Sequence, residues 1–158
     1  MAVKLSVDHW EKVKRQYSKV KEIQQGTMGE DSDNFKDQIS HFFQDCFHLK
    51  DWIKKDEPRL KQKVEDLFDK TNGIESFKIC ADFANREKHA EAVIRTRIDS
   101  NTSIKTQSVK VAIGSPVVSY YSWQIMAGGN YYDVFKLAKD CMREWQKFIQ
   151  SEGLSYLK

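Results

Sequence analysis

The sequence predicts an α+β domain: an antiparallel helical bundle with a small three-stranded antiparallel β insertion before its last helix. Apolar residues recur every three or four positions from Trp10 to Ala84 and again from Val134 to Ile149, the period of helices with one buried face. Between Val93 and Met126, β-branched and aromatic residues instead alternate with polar ones, the period of strands. The chain has 158 residues, 40% of them hydrophobic, which suits one core and one domain spanning 1–158.

Trp10, Val13, Tyr17, Val20 and Ile23 make residues 7–24 an amphipathic helix opened by Ser6 or Asp8 and ended by Gly26 and Gly29. A second helix runs from about Ser32 to Lys55 on a stripe of Phe35, Ile39, Phe42, Phe43, Cys46, Leu49 and Ile53, and Pro58 stops it. Leu60, Val64, Leu67 and Phe68 define a short third helix over 58–70, with Asn72-Gly73 expected to supply a left-handed stop. The fourth helix, 74–90, has a narrow apolar face of Phe77, Cys80, Ala81 and Ala84 that admits a neighbouring backbone closely. Three strands are expected at Val93–Ile98, Ile104–Ile113 and Val117–Met126, joined by turns at Asp99–Ser103 and Gly114-Ser115-Pro116. Gly128-Gly129 then leads into the last helix, with Asn130 as N-cap, Asp133 in the first turn and Gly153 at the close.

Composition narrows function. With 26 Lys and Arg against 23 Asp and Glu, the net charge of +3 is too small to hold nucleic acid by bulk electrostatics, so an RNA contact requires a local patch. Candidates are Lys12, Lys14, Arg15, Lys19 and Lys21 on the first helix, and Arg95 with Arg97 on the first strand, against the ordinary reading of a solvated charged face. Tyr120, Tyr121, Trp123, Tyr131 and Tyr132 have the chemistry to stack on bases, but covering the sheet is the commoner use of such a group. Cys46, Cys80 and Cys141 are odd in number, widely spaced and on apolar faces, the pattern of reduced core thiols; no metal-ligand spacing is present, and neither metal nor cofactor is expected. No apolar run approaches the ~18 residues of a membrane span, and the first residues lack a signal-peptide core. A cytoplasmic protein without membrane partners is the expectation.

Two histidine-bearing segments carry the candidate site. On the second helix His41, Asp45, His48 and Trp52 follow at spacings of four, three and four, with Asp51 three beyond His48. On the fourth, Asp82, Asn85 and His89 share a face flanked by Arg86 and Lys88. If the two helices pack side by side these groups meet, and an imidazole beside a carboxylate and cationic donors is equipment for acid–base chemistry on a phosphodiester. Histidines at a bundle's edge more often complete a buried hydrogen-bond network.

His48-Leu49-Lys50-Asp51-Trp52 followed by Ala84-Asn85-Arg86-Glu87-Lys88-His89 resembles a group of bacterial proteins related to the HEPN superfamily. HEPN domains are helical bundles, often dimeric, and many are metal-independent ribonucleases of toxin–antitoxin, CRISPR and phage-defence systems. Their motif is an arginine, usually a polar residue, three further residues and a histidine. The resemblance assigns Asn85 to the polar position and His89 to the histidine, while the phosphate-binding arginine is replaced by Ala84. It implies an RNA-binding homodimer, an endoribonuclease effector in which His89 is the general acid–base, His48 and Asp51 orient it or share the proton, and Asn85, Arg86 and Lys88 bind substrate. The alternative is a non-catalytic HEPN-like module that binds a partner protein of such a system.

Overall fold

A computed structural model describes residues 3–25, 32–88, 97–98, 102–112 and 117–158. Its elements are α1 (Leu5–Gln25), α2 (Ser32–Asp56), a 3-10 turn (Pro58–Leu60), α3 (Lys61–Leu67), α4 (Glu75–Lys88), β1 (Ser103–Ala112), β2 (Val117–Ala127), β3 (Asn130–Asp133) and α5 (Val134–Ser151). The chain is mostly helical, with a three-stranded antiparallel sheet of order β1-β2-β3 immediately before the last helix.

α2 is the central element. Phe42, Phe43, Cys46, Leu49 and Ile53 are all fully buried, because α1, α3, α4 and α5 pack around it. The aromatic part of this core is continuous. Phe47 meets Phe68 edge-on at 5.5 Å, Phe68 stacks on Phe77 at 4.6 Å, and Phe77 lies 5.0 Å from Trp145. Such pairs contribute about 0.5–1.5 kcal/mol each beyond their buried area. Trp145 needs a partner for its buried N–H, and Nε1 donates to the Cys46 carbonyl at 3.0 Å, tying α5 to α2.

Helix ends depart from expectation in instructive ways. Ser6 lies inside the first turn of α1, and the first turn is capped from another helix: the Asp56 carboxylate accepts from the Ser6 backbone N–H at 2.7 Å and from its hydroxyl at 2.6 Å. A carboxylate at a helix N-terminus satisfies orphan donors and suits the dipole. Gly73 is not left-handed, contrary to expectation; a Cβ there would lie 2.3 Å from the Asp69 carbonyl, so glycine is required by close approach of the backbone. α5 does end on a left-handed glycine, Gly153 at φ +67°. Leu154 N–H donates to Ile149 and Gly153 N–H to Gln150, which is the paired bonding of a Schellman stop.

The sheet is where sequence and structure differ most. Of the expected strand Val93–Ile98, residues 93–96 lie outside the described residues, and Arg97–Ile98 form a bend. The expected strands near 104–113 and 117–126 are β1 and β2, paired from Ser103 opposite Met126 to Ala112 opposite Val117. Asn130 is not a helix cap. Gly128 and Gly129, at φ +57° and +77°, form a two-residue hairpin turn that pairs Ala127 with Asn130, and β3 follows. Asp133 is the N-cap of α5, accepting from Lys136 N–H at 2.8 Å. On β2, Trp123, Ile125 and Ala127 alternate inward, and Trp123 meets Phe35 of α2 edge-on at 6.3 Å, fixing the sheet to the bundle. No helix among the described residues is long and apolar enough to cross a membrane.

Asp56 provides a test of the α1–α2 junction. Its carboxyl is partly desolvated, which works against ionisation, but the bonds from Ser6 and the Leu5 backbone outweigh this and hold it below the usual carboxylate range. A carboxyl lowered in the folded state contributes stability above its unfolded value of about 3.9, and that contribution is lost as pH falls through the folded value. We expect Asp56→Asn to cost about 1 kcal/mol at pH 7 in urea unfolding, the scale of a lost cap, with the deficit shrinking below about pH 4. The same deficit at pH 7 and pH 3 would show that the charge of Asp56 carries none of it.

Candidate functional site

The two helices of the expected site do pack against one another, but through apolar and thiol groups. Phe43 of α2 meets Phe83 of α4 edge-on at 5.6 Å, and the Cys80 thiol donates to the Phe43 carbonyl at 3.2 Å. His48 lies about 140° around the helix from Phe43 by the 3.6-residue period. The polar strip containing it is turned toward α1. Lys12 of α1 pairs with Asp45 at 3.0 Å, the His9 ring bonds the Asp45 carbonyl at 2.8 Å, and that ring lies 5.8 Å from Trp52. His48 is half-buried, its ring 5.7 Å from that of its neighbour Phe47, and His41 is exposed.

Asp51 belongs to a third environment. Its carboxylate accepts from Lys50 at 3.1 Å and Lys54 at 3.0 Å, and both lysines reach Glu65 on α3. Partial burial opposes ionisation of Asp51, but the bonds from Lys54 and Lys50 prevail and lower it. A carboxylate so held is a weak proton acceptor near neutral pH.

On α4, Asn85 and Arg86 are half-buried, while Ala84 is only 3% exposed and belongs to the core. The side chain of Lys88 and all of His89 lie outside the described residues. Asp82 is buried, and its two oxygens accept from the backbone N–H groups of Arg97 and Ile98, at 2.8 Å for Arg97. Arg97 in turn donates Nε to the Phe68 carbonyl at 2.7 Å, with its guanidinium 5.5 Å from the Phe47 ring centre. Arg97, expected on a strand face open to RNA, therefore closes the chain over the core.

Several of the other basic and aromatic candidates are similarly engaged. Lys14 pairs with Glu11 and Lys21 lies over the Tyr17 ring, so with Lys12 three of the α1 cations have partners. Trp123 is buried, and the Tyr132 hydroxyl donates to Glu75 at 2.9 Å; Tyr131 is exposed. A groove of about 510 Å³ lies elsewhere, between α1 and the end of α5, walled by Trp10, Ile149, Leu154 and Leu157.

One constellation was not legible in the sequence. Cys46 of α2, Cys80 of α4 and Cys141 of α5 are free, fully buried and mutually adjacent, their three sulfurs within 4.8 Å of one another. The Cys141 thiol lies 3.6 Å from the Ser76 carbonyl. Burial pushes Cys80 and Cys141 up. It also works against the Cys46 thiolate, but hydrogen bonds from Cys141 and Cys80 outweigh it and lower Cys46 to about 5. Each S–H of Cys80 and Cys141 thus has a carbonyl and a sulfur as rival acceptors. Each cysteine occupied a helix core stripe; only their convergence was hidden.

Comparison with known protein families, curated proteins and solved structures finds no match for this chain.

Asp82 is the polar side chain on α4 with the clearest structural task. Asp82→Ala removes the acceptor for two backbone N–H groups, and we expect a loss of roughly 2 to 3 kcal/mol in denaturant unfolding. Asp82→Asn, which keeps one acceptor oxygen, should lose less. A change for Asp82→Ala within the surface range of about 0.5 kcal/mol would mean that the 97–98 bend is held by other groups.

Proposed function

We propose that this chain is a HEPN-like helical module that acts by binding a partner protein in a bacterial defence or toxin system, without cleaving RNA itself. The observation that carries this reading is the position of Ala84. Where the resemblance expects an arginine aimed at phosphate, the chain has a methyl group 3% exposed in the bundle core. A residue so placed offers neither charge nor access to a phosphodiester. Two further observations support it. Asp51 is committed to lysines, and the strip of α2 bearing His48 is used by Asp45 and Trp52 to seat α1. Three free buried thiols suit a reducing compartment, and we place the protein in the cytoplasm.

A second reading is favoured by the partial exposure of His48, Asn85 and Arg86. In it, a homodimer cleaves RNA without metal, His89 moves the proton with His48 and Asp51, and Asn85, Arg86 and Lys88 hold the phosphate. Incubating purified protein with total cellular RNA in EDTA, beside His89→Ala prepared identically, distinguishes the two. We expect intact RNA on a denaturing gel with both proteins. Cleavage by the parent chain that His89→Ala abolishes would overturn the binding-module reading.

A further inference from the structure

The three-thiol cluster is independent of that reading and suggests a ligand of its own. We propose that Cys46, Cys80 and Cys141 form a three-thiolate site for one soft, three-coordinate ion, and that charge balance makes trivalent arsenic its preferred occupant. Three helices each contribute one sulfur, all fully buried and within 4.8 Å of one another. Trivalent arsenic keeps a lone pair and binds three thiolates as a pyramid, which at the ~2.3 Å typical of metal–sulfur bonds holds the sulfurs about 3.5 Å apart. The sulfurs therefore need to close by up to about 1.3 Å, which χ1 rotations shared among the three side chains supply. The thiols' present acceptors, the Phe43 and Ser76 carbonyls, sit within α2 and α4, where each is placed to accept a helical N–H, so losing the S–H donors orphans neither.

Charge selects among soft ions. The largest electrostatic influences on the three sulfurs come from one another, with His9 acting on Cys46 from the α1 side. A divalent ion with three thiolates leaves one net negative charge in an apolar core beside His9, which burial disfavours. A trivalent centre leaves none. The exchange is balanced without a redox partner: arsenous acid, the Cys46 thiolate, the two remaining thiols and one solvent proton give the tris-thiolate and three waters. Three As–O bonds break, three As–S bonds form, and the departing hydroxides leave as water on the protons of Cys80, Cys141 and solvent. No net proton is released, whereas a divalent metal ion displaces thiol protons into solution.

The test uses the full chain, reduced and handled without oxygen, incubated with arsenite and separately with cadmium(II). We expect one arsenic per chain to survive desalting, a mass gain of one arsenic less three hydrogens, and no net proton release. Arsenic X-ray absorption on the unmutated protein should give three sulfur neighbours. Single Cys→Ala variants that keep the parent's helical circular dichroism should retain arsenic at least tenfold less well. Retention of neither arsenic nor cadmium, in protein whose three thiols titrate as free after unfolding, overturns the site; so does arsenic coordinated by two sulfurs. Retention of cadmium but not arsenite overturns the selection by charge. The absorption measurement decides the question even if every variant fails to fold.

Discussion

The structure depends on the burial of α2 from several sides at once. A helix in contact with α1, α3, α4 and α5 can leave few positions to solvent, and Phe42, Phe43, Cys46, Leu49 and Ile53 are accordingly sealed. The same crowding determines where its polar groups go. Asp45 is turned to Lys12 and the α1 seam, Asp56 reaches the start of α1, and Lys50 and Lys54 reach Glu65 on α3. Burial therefore comes first, and polar chemistry is distributed around what it leaves.

That ordering explains why polar residues, Asp82 of the candidate site among them, serve as fasteners in the fold. Asp56 stands in for a local helix cap, and Asp82 gathers two backbone N–H groups that would otherwise lack acceptors. Buried or half-buried carboxylates in these roles hold elements in register, because a lost partner leaves a desolvated donor behind. The lysines around Asp51 have the same effect at the α2–α3 contact. Their chemistry is that of a scaffold.

The thiols are the exception. The carbonyls to which Cys80 and Cys141 donate are already engaged within helices, yet three elements bring the thiols to one point. Cysteine is a small hydrophobe that packs well as a thiol, so burial alone explains each residue separately. It does not explain why three sulfurs share one position in the core.

The sequence by itself determined the helix stripes, the two long strands, the close of α5 at Gly153 and the burial of all three cysteines, because each follows from local periodicity or from one residue's backbone preference. Only the tertiary structure decided the rest. β3 is four residues long, too short for a period, and was hidden behind a Gly-Gly turn that reads equally as a helix lead-in. The cap on α1 comes from Asp56, fifty positions after Ser6, where no local pattern can point. Whether the strip around His48 faces α4 or α1 depends on which neighbour takes which side of α2, and the convergence of Cys46, Cys80 and Cys141 depends on three helices at once. Periodicity specifies the face that is buried, whereas packing specifies what that face meets.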